Sequence, residues 1–243
     1  MFATDGSVSS SNIVGYQGTS ISAGLYYMIT AQFDATGGNG TGMAVKDLVK
    51  GDIPVGAEMQ VRRPEGDYDI YTYSEMAFNP DFDPEDPSTM TMPGWADGSG
   101  SLATSKVSPG AAFWLKADTA CDVTIAGSIL AEASKTVNVN AGIFSMVGNA
   151  YPADVNPNDV TWTGLTNGDE MQVRLDVGDY DIYTYSETAF NPNFDPNDPS
   201  TMTKPGWADG TGSLVTTAVL KSGRGAWIKP AAAASVTWES PIQ

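Results

Sequence analysis

Short runs in which apolar and polar residues alternate dominate the chain, and they predict β-strands. In the segment 66–74, GDYDIYTYS, Tyr68 and Ile70 share one face while Tyr71 and Tyr73 share the other, which is typical of a half-buried strand. Further strands are predicted at 25–31, 59–62, 111–116 and 122–126, in short runs bounded by Gly, Pro or Asp. Only residues 45–49 indicate a helix, and that run is too short to change the fold class.

A second signal is an internal repeat. Residues 58–105 align without a gap to residues 170–217 at an offset of 112, and 38 of the 48 positions are identical. The match continues after one inserted residue, with Trp114 opposite Trp227. Upstream the offset is 118, so the first copy carries about six additional residues, which we assign to the Gly-rich stretch 37–42.

Short strands with turn signals between them, repeated in this way, predict an all-β fold. We expect two tandem homologous domains, each a small antiparallel β-sandwich or barrel. The predicted ranges are an N-terminal arm at 1–11, a first domain at 12–130 and a second domain at 131–243. Both domains should share one fold, with Tyr68 and Tyr180 in the same structural position, because a one-residue slip would turn every buried side chain outward.

The charge of the chain restricts its partners. Its 243 residues include 12 basic and 29 acidic ones, for a net charge of −17. This charge repels phosphate backbones and anionic lipid, so we expect no nucleic acid as a partner. We also expect no membrane insertion, since no apolar run approaches the roughly 18 residues that cross a bilayer. Cations are the expected small partners.

The chemistry of catalysis is sparse in this chain. Histidine is absent, which removes the usual general base and the commonest metal ligand. Cys121 is the single cysteine, so an internal disulfide and a cysteine-bound zinc or iron–sulfur site are excluded. We therefore expect no enzymatic activity, and we assign no catalytic residue.

The N-terminal residues lack the basic and apolar regions of a signal peptide. This fits a cytosolic protein, or a secreted protein from which the signal has been removed. The low Lys content and the abundance of Thr, Ser, Asn and Gly favour the second reading. We therefore expect an extracellular or cell-surface location.

The most distinctive segment is a loop rich in Pro and Asp, NPDFDPEDPST at 79–89 and NPNFDPNDPST at 191–201. Oxygen ligands at alternate positions suit a hard cation such as Ca²⁺, although the spacing differs from the twelve-residue helix–loop–helix signature. Asn replaces two acidic residues in the second loop, so that loop should bind more weakly. The alternative is a solvated cluster of Asx-Pro turns. The candidate metal ligands are Asp81, Asp83, Glu85 and Asp86 in the first copy and Asn193, Asp195, Asn197 and Asp198 in the second.

Aromatic side chains in both copies form the second candidate site, an interface or a ligand platform. Flat rings beside carboxylates suit the stacking of sugar rings. The alternatives are cross-strand packing inside a sandwich and a patch covered by a neighbouring subunit. The residues are Tyr71, Tyr73 and Trp95 in the first copy and Tyr183, Tyr185 and Trp207 in the second.

Several motifs together resemble a known group of proteins. They are the start NIVGY at 12–16, the GDYDIYTY block, the Gly-Trp pair at 94–95, and a closing strand in which Trp precedes a hydrophobic residue and Lys. The chain resembles tandem-repeat secreted proteins of planctomycete and verrucomicrobial bacteria over most of both copies. The resemblance implies export and a β-rich tandem architecture, and it implies no catalytic residue.

The sequence thus predicts an extracellular structural protein, a subunit that assembles with itself head to tail into a filament or surface layer stabilised by calcium. A contact of this kind that does not close produces a fibre. We expect the arm at 1–11 to reach a neighbouring subunit, where 235–238 or the face of Tyr183 and Tyr185 would receive it. The alternative is a carbohydrate-binding or adhesive surface module, whose partner would be a polysaccharide.

Overall fold

The structure is a computed structural model that describes residues 14–35, 38–175 and 178–241. Within these ranges the fold is all-β, as predicted, with antiparallel strand pairs and one four-residue α-helix. The predicted arm at 1–11 lies outside the described residues. In the described part of the chain, no helix has the length and apolar character needed to cross a membrane.

The first repeat contains a large and a small sheet. Its elements are β1 (Val14–Ile21), β2 (Tyr26–Thr30), β3 (Met43–Ala44), α1 (Val45–Leu48), β4 (Lys50–Gly51), β5 (Glu58–Arg62), β6 (Tyr68–Phe78), β7 (Thr91–Ala96), β8 (Lys106–Val107), β9 (Ala112–Lys116) and β10 (Cys121–Ser128). The five-stranded sheet has the order β2-β9-β5-β6-β7 and the three-stranded sheet has the order β1-β10-β4. β3 pairs with β8.

The second repeat reproduces both sheets. Its strands are β11 (Ser134–Val139), β12 (Ser145–Gly148), β13 (Thr161–Thr163), β14 (Glu170–Arg174), β15 (Tyr180–Phe190), β16 (Thr203–Ala208), β17 (Gly225–Lys229) and β18 (Ala234–Glu239). The five-stranded order is β12-β17-β14-β15-β16 and the three-stranded order is β11-β18-β13. Each position in these two sheets matches a position in the first repeat.

The register of the strands is the same in both copies. Tyr68 pairs with Arg62 and Tyr180 pairs with Arg174, so the two tyrosines occupy the same structural position, as predicted. Both long hairpins, β6–β7 and β15–β16, also change register at the same step after Ser74 and Ser186. The exact boundaries of the two predicted domains stay a prediction.

In each repeat the large sheet packs on the small one, and the core lies between them. Met59 and Tyr71 of the first large sheet face Ile125 of β10, and Met171 and Tyr183 have the same place in the second repeat. Fully burying an aliphatic side chain of this size stabilises the fold by about 1.5–3 kcal/mol. In β6 the face that carries Tyr71 is the one turned toward the core, and the face that carries Ile70 is exposed.

The two repeats contact each other through β2 and β9 of one and β12 and β17 of the other. Thr30 N donates to Gly223 O at 3.0 Å, and Gly148 N donates to Gly110 O at 3.0 Å. Thr30 and Gly148 occupy equivalent positions in the two repeats, and so do Gly110 and Gly223. The two hydrogen bonds are therefore equivalent, with the roles of the repeats interchanged. This reciprocity is the mark of an isologous interface, here made within one chain.

One buried polar residue at this contact has an apolar counterpart in the second repeat. Gln32 is 1% exposed, and its Nε2 donates to Tyr151 O at 2.8 Å and to Asn149 O at 3.2 Å. Ser222 Oγ donates to Gln32 Oε1 at 3.1 Å. The repeat places Ala150 at the matching position. Gln32 thus satisfies its buried amide entirely with groups of the second repeat, which links the two repeats in one defined arrangement.

The contact between the repeats leaves no space at Gly148. A Cβ there would overlap the side chain of Thr30 and stand 2.9 Å from the carbonyl oxygen of Arg224. The backbone at Gly148 lies outside the left-handed region, so an alanine would be opposed by crowding alone. We expect Gly148→Ala to lower the free energy of unfolding by about 1–3 kcal/mol, measured by chemical denaturation.

Gly18 provides the matched control, because a Cβ at Gly18 meets no atom within 4 Å and its backbone is also ordinary. We expect Gly18→Ala to keep the stability of the wild type or to raise it by about 0.4–1 kcal/mol. Equal losses in the two variants would show that the close contact at Gly148 does not exist.

Candidate functional site

The carboxylates of the Pro- and Asp-rich loops bind the backbone of their own loop. Asp83 Oδ1 accepts from Glu85 N at 2.9 Å, and Asp86 Oδ1 accepts from Ser88 Oγ at 2.6 Å and Ser88 N at 3.1 Å. The bonds from Ser88 lower the pKa of Asp86. In the second loop Asp195 Oδ1 accepts from Asn197 N at 2.8 Å. These are Asx turns, the geometry of the alternative interpretation.

The remaining loop ligands are spread over the surface. Asp81 Oδ2 forms an ion pair with Lys46 Nζ at 2.9 Å, and Glu85 is exposed. In the described part of the chain, no group of three or more acidic or cysteine side chains is placed to hold a metal ion. Calcium binding by these loops stays a prediction. Each loop consists of Asx turns and a three-residue 3-10 helix, at Pro87–Thr89 in the first repeat and Pro199–Thr201 in the second.

The predicted aromatic platform needs a correction. Trp95 and Trp207 are 0% exposed, and Tyr71 and Tyr183 are 6% and 8% exposed, all within the cores of the two sandwiches. Tyr73 is half-buried, with its ring centroid 5.5 Å from that of Trp95. The pair Tyr185 and Trp207 repeats this contact at 5.7 Å. The interpretation as a ligand platform is wrong, because the face that carries these rings is turned toward the small sheet.

The predicted acceptor for a neighbouring arm also needs a correction. The segment 235–238 lies in β18, the central strand of its sheet. Val236 pairs with Val137 of β11 on one side and with Trp162 of β13 on the other. Both backbone edges of β18 are therefore already hydrogen-bonded within the chain, and no further strand can be added there.

A row of four aromatic rings crosses the contact between the repeats. Its order is Tyr26, Trp114, Trp227 and Phe144, with successive ring centroids 6.0, 6.1 and 5.9 Å apart. All three pairs are edge-to-face, an arrangement that adds about 0.5–1.5 kcal/mol per pair beyond the burial of apolar area. The row is nearly symmetric, since Trp114 and Trp227 are counterparts and so are Tyr26 and Phe144.

Each ring of this row lies beneath a cation. Arg174 of the second repeat covers Trp114 at 5.3 Å, and Arg62 of the first repeat covers Trp227 at 5.2 Å. Lys116 lies 5.6 Å from Tyr26, and Lys229 lies 5.3 Å from Phe144. Such contacts stabilise by about 0.5–2 kcal/mol each. Each arginine thus lies over the tryptophan of the other repeat. We call the four rings and their four cations the joint between the repeats.

One end of the row carries an additional polar contact. Tyr26 Oη donates to Glu58 Oε1 at 2.7 Å, and this bond raises the pKa of Tyr26 to about 12. Phe144 at the other end has no hydroxyl, so Glu170, the counterpart of Glu58, lacks this partner. The repeated Arg and Trp positions were visible in the sequence, but the alignment could not show that the two copies meet through them.

Most sheet edges in the described ranges are closed to a further strand. β7 and β16 contain Pro93 and Pro205, which have no N–H to donate. β2 and β12 lie in the contact between the repeats. β3, β4 and β8 are two residues long, and β13 is three residues long. A neighbouring strand would find little backbone to pair with at any of these places.

β1 and β11 are the exceptions. Each pairs on one side only, β1 with β10 and β11 with β18. Among the described residues, no backbone hydrogen bond joins the other side of either strand to another element. The two strands are counterparts, so each repeat has one edge without a backbone partner, although the Gln17 side chain of β1 donates from Nε2 to Ser222 O of the second repeat at 3.1 Å. An unprotected edge is a template for pairing with a strand of another chain.

Comparison of the chain with protein-family models, with curated proteins and with solved structures finds no match. The resemblance to secreted bacterial repeat proteins therefore stays an expectation.

Equivalent aspartates in both repeats allow a test at low pH. Asp97 Oδ1 accepts from Ser99 Oγ at 2.6 Å, and Asp209 Oδ1 accepts from Thr211 Oγ1 at 2.6 Å. These bonds lower the pKa of both carboxyl groups below the ordinary 3.8. Their stabilisation is complete above the unfolded pKa and is lost as the pH falls through the lower folded value. We expect Asp97→Asn/Asp209→Asn to lose less stability than the wild type as the pH falls from about 3.8 through the lower folded pKa.

The measurement is the free energy of unfolding as a function of pH, by denaturant titration. The control is Glu75→Gln/Glu187→Gln, which removes the same number of negative charges from exposed positions at the same places in the two repeats. Identical slopes in the aspartate variant and the wild type would contradict the assigned hydrogen bonds.

The calcium prediction has a matched variant within the chain. Asp81→Asn/Glu85→Asn gives the first loop the residues of the second loop. If the loops bind Ca²⁺ in the folded state, millimolar calcium raises the melting temperature of the wild type, and it does so less in the variant. Thermal melts in calcium and in excess chelator measure both effects. An unchanged melting temperature of the wild type would leave the Asx turns as the whole role of these loops.

Proposed function

We propose that this protein is an extracellular structural subunit without enzymatic activity, which assembles with copies of itself into a filament or surface layer. One observation carries the proposal: each repeat leaves one long strand edge open, β1 in the first and β11 in the second. A chain with two such edges can contact two neighbours, which is the minimum requirement for a polymer.

The joint between the repeats supports this proposal. The reciprocal surfaces around Trp114 and Trp227 bind each other within the chain. They are therefore occupied and unable to bind a further copy, and the open edges remain for contacts between chains. The joint also holds those two edges in a defined relative orientation, through bonds such as that from Gln32 to Tyr151.

The composition supports export and a structural role. The chain is low in Lys and lacks His, and the resemblance to secreted repeat proteins points in the same direction. The carbohydrate-binding alternative loses its main support, because Trp95 and Trp207 are buried in the cores. Calcium remains part of the proposal only as a stabilising ion for the loops.

The net charge of −17 makes assembly dependent on salt. Subunits of equal charge repel each other, and added salt screens this repulsion over about 8 Å at physiological ionic strength. We expect the full-length protein to remain as single particles at low ionic strength and to form larger assemblies as the ionic strength rises.

Light scattering over a series of salt concentrations measures the mass of the assemblies, and negative-stain microscopy of the same samples shows their form. Uniform threads or layers support the proposal. Dispersed two-lobed particles at every salt and protein concentration would overturn it, and binding of those particles to an insoluble polysaccharide would then favour the alternative function.

A further inference from the structure

The Gly-rich stretch that the first repeat adds contains the dipeptide Asn39–Gly40, and the Asn39 side chain is exposed. Gly40 has no Cβ to shield its backbone nitrogen, and its φ of +75° lies in the region that favours glycine. The side-chain amide carbon of an asparagine lies close to the next backbone nitrogen in the chain, so the two can react within one molecule to close a cyclic imide. This dipeptide therefore has the reactants of a self-modification.

A buried carboxylate contacts the reacting nitrogen. Asp34 is 0% exposed, and its Oδ2 accepts from Gly40 N at 2.6 Å. Its Oδ1 has no hydrogen-bond partner among the described residues, although buried polar atoms are normally paired. The second repeat has Pro152 at the position of Asp34. The carboxylate thus occurs only in the copy that has the added stretch, and a base lies against the nucleophile.

The amide that would be attacked is also held. Asn39 Oδ1 accepts from Thr41 Oγ1 at 2.9 Å and from Thr41 N at 3.3 Å. Donors at a carbonyl oxygen stabilise the negative charge that forms there when a nucleophile attacks the carbon. The loop therefore combines a nucleophile beside a base with an electrophile beside two donors, which is the arrangement expected of a reactive site.

We infer that Asn39 is a self-modification site that loses its side-chain amide, with Asp34 as the base. Gly40 N gives its proton to Asp34 Oδ2 and bonds to Asn39 Cγ, while the carbonyl electrons move to the Oδ1 held by Thr41. The carbonyl then reforms, the Cγ–Nδ2 bond breaks, and Nδ2 leaves as ammonia with the proton that Gly40 N gave up. Water opens the cyclic imide at either carbonyl, so position 39 ends as an aspartyl or an isoaspartyl residue. Nothing is oxidised or reduced.

The chain contains a second dipeptide of the same kind, Asn167–Gly168, with a different environment. Asn167 is also exposed, and Gly168 also has a positive φ, of +97°. Gly168 N, however, donates to the backbone carbonyl oxygen of Tyr185 at 2.9 Å. A peptide carbonyl accepts a hydrogen bond but is too weak a base to take the proton. The two dipeptides therefore differ in the base beside the nitrogen, which makes the second an internal reference for the first.

The modification would change the charge where the added stretch meets the start of the second repeat. Ala131 N donates to Gly38 O at 3.1 Å. A Cβ at Gly40 would stand 3.0 Å from both Glu132 Oε1 and Lys135 Nζ. A new carboxylate at position 39 thus enters a region that already contains both signs of charge. This inference goes beyond the proposed function and does not depend on assembly.

Mass spectrometry of proteolytic peptides can follow the two dipeptides separately during incubation of the folded, full-length protein. We expect Asn39 to lose its amide at least about tenfold faster than Asn167, since a positioned general base contributes about 10²–10⁴-fold. In concentrated guanidinium chloride the two rates should become similar, because only the common dipeptide then remains.

Asp34→Asn tests the base directly, because the asparagine side chain has nearly the same shape but cannot take the proton. We expect the rate at Asn39 to fall at least about tenfold and the rate at Asn167 to stay unchanged. The control is Asp169→Asn, which removes another buried carboxylate, 2% exposed, that is bonded to Thr166 and Ala231. It should leave the rate at Asn39 unchanged.

Thr41→Ala provides a second variant at an exposed position, so it tests the site without altering a buried residue. It removes the bond from Oγ1 to Asn39 Oδ1, and we expect it to slow the reaction at Asn39 as well. Circular dichroism checks that each variant is folded during the incubation.

Equal rates at Asn39 and Asn167 in the folded wild type would overturn the inference, and so would an unchanged rate at Asn39 in Asp34→Asn. A slower reaction at Asn39 in the folded protein than in the denatured chain would also overturn it, since Asp34 would then hold Gly40 N in place and protect the amide. None of these results bears on the proposed function, which light scattering tests separately.

Discussion

The reciprocal packing of arginine on tryptophan across the repeat contact is the interaction on which the arrangement of this molecule depends. Arg62 lies over Trp227 and Arg174 lies over Trp114, and the two tryptophans meet edge to face at 6.1 Å. Each repeat thus supplies the cation for the other's ring. A duplicated chain can form such a pair of contacts only when its copies meet about an approximate twofold axis, so this pairing determines how the two sandwiches are oriented.

Two consequences follow from that orientation. The edges β2 and β12 are directed into the contact, where backbone bonds such as that from Gly148 to Gly110 cover them. The opposite edges, β7 and β16, contain proline and cannot easily accept a strand. The long unpaired edges that remain belong to the small sheets, at β1 and β11. The long edges without a backbone partner therefore lie in the small sheets, although the large sheets contain the most distinctive sequence motifs.

Those distinctive motifs have mainly structural roles in this fold. The acidic residues of the loops cap turns, as Asp86 does for Ser88, and the aromatic residues of β6 and β7 fill the core, as Trp95 does at 0% exposure. Local patterns of this kind identify the residue types that a site requires, but the same types also serve turns and cores. Alternation shows that a strand has two different faces, but it does not show which of them is turned toward the core.

The sequence by itself determined the fold class, the duplication and the positions of several strands, because alternation and turn residues act over a few neighbouring positions and the repeat shows them twice. Only the tertiary structure decided that Tyr71 faces the core while Ile70 is 53% exposed. It also decided that the row from Tyr26 to Phe144 forms the joint, and that 235–238 lies in a central strand. These features depend on contacts between residues far apart in the chain, and single-sequence patterns carry no information about such contacts.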